Sequence, residues 1–267
     1  MENILQSLPV FLLIFCRITA FFVVVPVFSS QNVPTTFKIG LSFYIALVVF
    51  STTGTGIVVQ EDLGYVLLIF KEVLVGLLLG FIGYLMFMTI QTAGSFIDIQ
   101  IGFGIANVID PLTGAASPIL GNFKYIIALL IFLGMNGHHY LLDAIVNSYN
   151  WVPLNHEIAA RMSDGSLSQF LVRSFAQSFI LAFQMSAPLV TALFLTDVGL
   201  AFLARTAPQY NVFVIGVPLK IIVGLVLLLV LMPTLTALFS SLFDIMFESM
   251  RNLLNVLGQA PPSGGNQ

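Results

Sequence analysis

The stretch Tyr65-Val-Leu-Leu-Ile-Phe-Lys71-Glu72-Val-Leu-Val-Gly76-Leu-Leu-Leu-Gly80-Phe-Ile-Gly83-Tyr-Leu-Met-Phe-Met-Thr-Ile90 decides the fold. It is longer than the ~20 residues that carry a helix across hydrocarbon, and its only charges are the adjacent Lys71 and Glu72 near its start. Gly76 and Gly80 stand four residues apart with Gly83 close behind. That spacing puts small residues on one face, where another backbone can approach closely. The stretch predicts a membrane-embedded helix packed along one face against protein rather than lipid.

Similar apolar runs cover residues 9–28, 39–59, 119–135, 170–204 and 212–243, so the fold class is all-α. The composition agrees: 58% of residues are hydrophobic and 8% charged, and mean hydropathy is +1.02. A soluble domain carries about a quarter charged residues. The last two runs are long, and Pro188, Pro218 and Pro233 fall in them. Each proline removes a helix hydrogen bond, so a kinked spanning helix and a helical hairpin both fit. Residues 1–258 are expected to form one helical domain, and the polar, breaker-rich residues 259–267 a disordered tail. The start Met-Glu-Asn has no basic leader, so the first apolar run is expected to remain in the mature chain.

Nine basic against twelve acidic residues, with no basic block, exclude a nucleic-acid partner. The single cysteine, Cys16, lies in an apolar run and reads as a small buried hydrophobe. His139 and Asp143 share a helical face, but no further ligand follows at metal-site spacing, and neither a phosphate loop nor a serine elbow is present. Neither enzyme, metal nor cofactor is expected. The costly charges are Arg17, Lys71, Glu72, Asp197 and Lys220, each in or beside an apolar run. A charge at bilayer depth costs at least ~2.5–3.5 kcal/mol and so faces a partner, a cavity or the interface. Interhelical or intersubunit pairing is the favoured reading; the alternative is a secondary transporter of a small solute with Arg17, Glu72 and Asp197 at its site.

Residues 100–118, Gln-Ile-Gly-Phe-Gly-Ile-Ala-Asn-Val-Ile-Asp-Pro-Leu-Thr-Gly-Ala-Ala-Ser-Pro, are too rich in glycine and proline for a helix and too apolar for a solvent loop. Irregular backbone at membrane depth is tolerated only where protein buries it or where it lines a water-filled path. Pore lining is the first expectation for this segment.

Several patches, in order, carry a resemblance along nearly the whole chain: Pro26-Val-Phe with Val33-Pro34, Gly102-Phe-Gly104 with Asp110-Pro111, Asn136-Gly-His138, Ser148 with Pro153, and Ala204-Arg-Thr-Ala-Pro-Gln-Tyr-Asn-Val-Phe213 with Pro218-Leu-Lys220. This set resembles the FliR family. The resemblance implies a subunit of the export gate of a bacterial flagellar type III secretion system, in the cell (inner) membrane at the flagellar basal body, related to injectisome subunits. It implies kinked helical hairpins packed in a helical, cone-shaped channel complex with FliP-like and FliQ-like subunits, contact with an FlhB-like subunit and with lipid, and passage of unfolded export substrates. It also implies a plug at Gly102, Phe103, Gly104, Ile105, Asn107, Asp110 and Pro111, and places Arg17, Lys71, Glu72, Asp197, Arg205 and Lys220 at interhelical or subunit contacts.

Overall fold

The computed structural model describes residues 2–30, 32–54, 63–103, 118–154, 165–209 and 211–258. Among them are seven α-helices: α1 (Glu2–Val24), α2 (Thr35–Val49), α3 (Leu63–Ile101), α4 (Ile119–Gly134), α5 (Gly137–Trp151), α6 (Ser166–Thr206) and α7 (Val212–Leu257). A π-helical turn, Phe50–Gly54, continues α2. Residues 259–267 lie outside the described residues. Five helices are long and apolar enough to cross a membrane, or six if α4 and α5 together make one bent span.

The helices sort into two compact units. One comprises Met1–Leu85, Asn136–Ser174 and Asp244–Gln267, the other Met86–Met135 and Phe175–Phe243. In the first, α1 and α2 pack through aromatic edges, with Phe11 to Phe43 centroids 5.3 Å apart and nearly perpendicular rings. The glycine face of α3 lies on α1. A Cβ added at Gly76 would stand 2.2 Å from the backbone oxygen of Arg17, and one at Gly80 would stand 3.0 Å from the Val24 Cβ. Val10, Leu13, Ile14, Ile18, Val75 and Leu79 fill the space around that crossing with no exposure at all. The last turns of α7 add Met250, Leu253 and Leu257 to the same core.

In the second unit, α4 crosses the end of α3 at a second glycine contact, where a Cβ on Gly94 would meet the Gly121 Cα at 2.2 Å. Phe87, Phe132 and Phe243 form an aromatic cluster with centroids 4.9–5.5 Å apart. Ile97, Ile101, Leu120, Leu189, Leu193 and Leu228 form an aliphatic one.

One sequence expectation changes in the structure. The apolar run ending at Ile90 is only part of α3, which continues to Ile101. Its polar residues there find partners on α4: the Gln91 Nε2 donates to the Asn122 Oδ1 at 3.1 Å, and the Asp98 carboxylate accepts amides at the start of α4. The helix therefore has no reason to stop where hydropathy falls. The choice left open for the fifth and sixth runs also resolves, each forming one continuous helix. Pro188 lies inside the 41-residue α6, and Pro218 and Pro233 lie inside the 46-residue α7. At 1.5 Å per residue these helices are about 60 and 70 Å long, about twice the ~30 Å of hydrocarbon.

Gly76 gives a direct test of the α1–α3 crossing. Gly76→Ala drives a methyl into the Arg17 carbonyl and is expected to cost about 1–3 kcal/mol, read as a lower melting temperature of the purified protein. Gly40→Ala, with nothing within 4 Å of the new methyl, is expected to leave that temperature unchanged or slightly raised. Equal behaviour of the two variants would show that the crossing is not tight.

Candidate functional site

The charges of the first unit converge on one buried knot. α1 delivers Arg17 and α3 delivers Glu72, both without solvent exposure, and the guanidinium grips the carboxylate with two bonds, Nε to Oε2 at 2.5 Å and Nη2 to Oε1 at 3.0 Å. α5 closes the third side. Its Ser148 Oγ accepts from Arg17 Nη1 at 3.0 Å and donates its own hydrogen bond to the Ile145 carbonyl, and the Val152 carbonyl accepts from Nη2 at 2.8 Å. The Tyr149 ring lies under the guanidinium, 4.0 Å from centroid to Cζ, and its hydroxyl donates back to the Ile14 carbonyl of α1. Lys71, beside Glu72 on α3, reaches Glu72 Oε1 at 3.1 Å and the Pro153 and Leu154 carbonyls at 2.9 and 2.8 Å.

The knot holds two cations and one carboxylate. The surplus positive charge rests on the carbonyls of Val152, Pro153 and Leu154, at the end of α5 where the helix dipole is negative. Every polar arm of Arg17 and Glu72 is thus engaged, which is the condition under which a buried ion pair is tolerated. Sequence reasoning named Arg17, Lys71 and Glu72 but missed Tyr149 and the α5 carbonyls. Ser148 and Pro153 were visible only as members of the resembling set.

The second unit holds Asp197, Lys220 and Arg205. Asp197 on α6 takes the Lys220 ammonium of α7 at 2.9 Å and the Gln100 Nε2 of α3 at 2.9 Å. The carboxylates of the solute-transporter reading are therefore each engaged, Glu72 by Arg17 and Lys71, Asp197 by Lys220 and Gln100. Arg205 is exposed in the last turn of α6. His139 and Asp143 lie on α5, where Asp143 accepts from Asn147 at 2.8 Å, and no metal-holding group of three His, Cys, Asp or Glu occurs among the described residues.

Of the expected plug residues, Gly102 and Phe103 are described, and Gly104, Ile105, Asn107, Asp110 and Pro111 lie outside the described residues. Gly102 ends α3 at φ 104°, a conformation that only glycine adopts freely, with its amide donating to the Asp98 carbonyl at 3.2 Å. Phe103 packs half-buried on the aliphatic cluster of the second unit. Asp98 also works at the far side of the segment. Its carboxylate accepts the Leu120 amide at 3.1 Å and the Gly121 amide at 3.3 Å, the free donors at the start of α4. The end of α3 and the start of α4 are therefore tied to one residue. Nearby Lys124 is 1% exposed, and its ammonium has no hydrogen-bond partner among the described residues.

Two predictions follow from these contrasts. Glu72→Gln leaves Arg17 and Lys71 buried without their anion and is expected to cost about 3–5 kcal/mol, whereas the double variant Arg17→Met, Glu72→Gln costs less than the two single losses added. A double-mutant cycle on thermal melting measures the difference, and strict additivity would refute the coupling. Lys124→Met keeps the apolar stem and removes the unpartnered ammonium, so it is expected to stabilise by about 1–3 kcal/mol; a lower melting temperature would contradict the assignment.

Comparison with known proteins agrees with this architecture. The family described as Bacterial export proteins, family 1, matches residues 8–246. The chain is similar to the flagellar biosynthetic protein FliR of Bacillus subtilis (strain 168), 48% identical over 258 residues, covering 97% of this chain and 99% of the relative. It is also similar to the flagellar biosynthetic protein FliR of Escherichia coli (strain K12), 30% identical over 79% of this chain and 80% of the relative. A further relative is the Yop proteins translocation protein T of Yersinia pestis, 30% identical over 82% of this chain and 84% of the relative. With the family match running from α1 into the last turns of α7, the chain belongs to the bacterial export proteins, family 1.

Proposed function

We propose that this protein is a membrane subunit of the flagellar type III export gate, at the inner membrane of the flagellar basal body, and passes unfolded flagellar proteins without chemistry of its own. The observation that carries the reading is near-end-to-end similarity to flagellar FliR relatives, joined to a helical chain whose longest helices are mostly uncovered. Only 17% of an 18-residue apolar stretch within α6, and the same share of one within α7, is buried within the chain. Helices of about 60–70 Å outrun the bilayer, so lipid alone cannot cover them. FliP-like and FliQ-like subunits, in a cone-shaped helical complex, supply the remaining cover, and an FlhB-like subunit adjoins them.

Residues 102–111 form the closure element in this reading. Gly102 and Phe103 root it on the aliphatic cluster, and Gly104, Ile105, Asn107, Asp110 and Pro111 supply bends and an apolar constriction that resists ions. Arg205, exposed at the end of α6, and the partly exposed Asp197–Lys220 pair are contacts to neighbouring subunits.

Affinity purification of the tagged chain in mild detergent tests the first part. Co-purification of the FliP-like and FliQ-like subunits is expected, while a chain that purifies alone and binds a small solute would refute it. Deleting residues 105–110 is expected to leave the complex assembled but raise the ion conductance of the membrane. An assembled mutant complex that remains ion-tight would remove the closure role.

A further inference from the structure

The exposed face of α5 carries a polar row, in a chain whose exposed helix faces are mostly apolar. Asn136, at the N-cap, and His139, Asp143, Asn147 and Asn150 follow one another at spacings of three, four, four and three, so they stand in one row, and all five are exposed. Opposite them Gly137, Leu141, Ile145, Ser148 and Tyr149 are buried toward the Arg17 knot. The row is internally bonded: the Asn147 Nδ2 donates to the Asp143 Oδ1 at 2.8 Å, and the Asn150 Nδ2 to the Asn147 Oδ1 at 3.3 Å.

Three environments are available to such a face. Lipid is excluded by cost, since an aspartate alone carries ~2.5–3.5 kcal/mol at bilayer depth. α5 also qualifies as part of a span only when joined to α4, because its 15 residues reach about 22 Å. A fixed subunit interface is disfavoured by the ladder itself, because side chains that satisfy one another leave few groups in need of a matched partner. Water remains, and it accepts the outward carboxylate oxygen, the imidazole and the last amide at no desolvation cost.

We propose that this row lines the hydrated export path, where it meets the extended backbone of a passing polypeptide through exchangeable, sequence-independent hydrogen bonds. The chemistry suits transit. Amides and one carboxylate offer donors and acceptors to any main chain, yet hold no apolar pocket in which a side chain would lodge. The wall behind the row stays fixed, because α5 is pinned from its other side by Arg17, Lys71 and Tyr149.

This inference rests on the export-gate reading, and its test separates the two. In the intact complex, with Cys16 replaced by alanine, Asn147→Cys and Asn150→Cys are exposed to a charged, membrane-impermeant methanethiosulfonate while an export substrate is either absent or stalled in the channel. Leu229→Cys on α7 is the control, 68% exposed in the isolated chain but set among Leu225, Val226 and Val230. Labelling on the α5 row is expected to be roughly tenfold or more faster than at Leu229→Cys, and to be lost when substrate is stalled. Failure to label in a complex that still co-purifies and exports would overturn the inference and leave the gate reading intact. Labelling that a stalled substrate does not reduce would place the row in water outside the path and equally overturn it. Failure to co-purify the other gate subunits with the unmutated chain would instead strike the export-gate reading.

Discussion

The bidentate pair between Arg17 and Glu72 is the constraint around which the first unit is arranged. Neither group can be buried alone, since an uncompensated ion in a low-dielectric interior costs several kcal/mol after relaxation. Holding them together requires α1 and α3 to lie close enough for the guanidinium to meet the carboxylate in plane. Gly76, one turn beyond Glu72 on α3, makes that approach possible, because any side chain there would strike the carbonyl of Arg17 itself. The residue that brings the charge and the residue that permits the contact thus answer to the same crossing. α5 is then fixed in turn, because its end supplies the carbonyls that the second cation, Lys71, requires.

The outer surface follows a different logic. α6 and α7 place Phe175, Phe179, Phe183, Leu229 and Val230 at about half exposure or more, far more apolar surface than a monomer in water tolerates. A bilayer covers only about 30 Å of it. Helices of this length and composition make sense when their apolar surface continues into neighbours, and the prolines inside them do not end the helices, since adjacent helices can take up the freed carbonyls. Among the described groups, polar anchoring of these helices comes from Asp197, Lys220 and Gln100, which tie α6, α7 and the end of α3 together.

Much of this was legible in the sequence, and the failures have physical causes. The apolar runs, the costly charges and the glycine face of α3 could be read directly because each violates or exploits a bilayer rule locally. α5 was not read among the apolar runs because its outer row is polar and its inner row serves Arg17. α3 was cut short at Ile90 because Gln91, Ser95 and Asp98 lower the hydropathy, and nothing in the chain announces that α4 will answer Gln91 and Asp98. The pairing of Arg17 with Glu72 rather than Asp197 was beyond sequence reasoning, since it depends on which helices cross. Tyr149 could have been found from its place beside Ser148 once α5 was recognised, as an aromatic face is a natural seat for a guanidinium.

Asp98 shows how a single side chain joins local to larger order in the second unit. Its backbone carbonyl receives the amide of Gly102, ending α3, while its carboxylate receives the amides of Leu120 and Gly121, starting α4. A carboxylate at a helix N-terminus is favoured both by the free donors and by the positive end of the dipole, so the charge stays buried without a cation. The Gly94–Gly121 crossing brings the two backbones near enough for a short aspartate to span the gap. The end of α3 and the start of α4 are therefore fixed at one point, and Phe103, just past α3, is held by the aliphatic cluster.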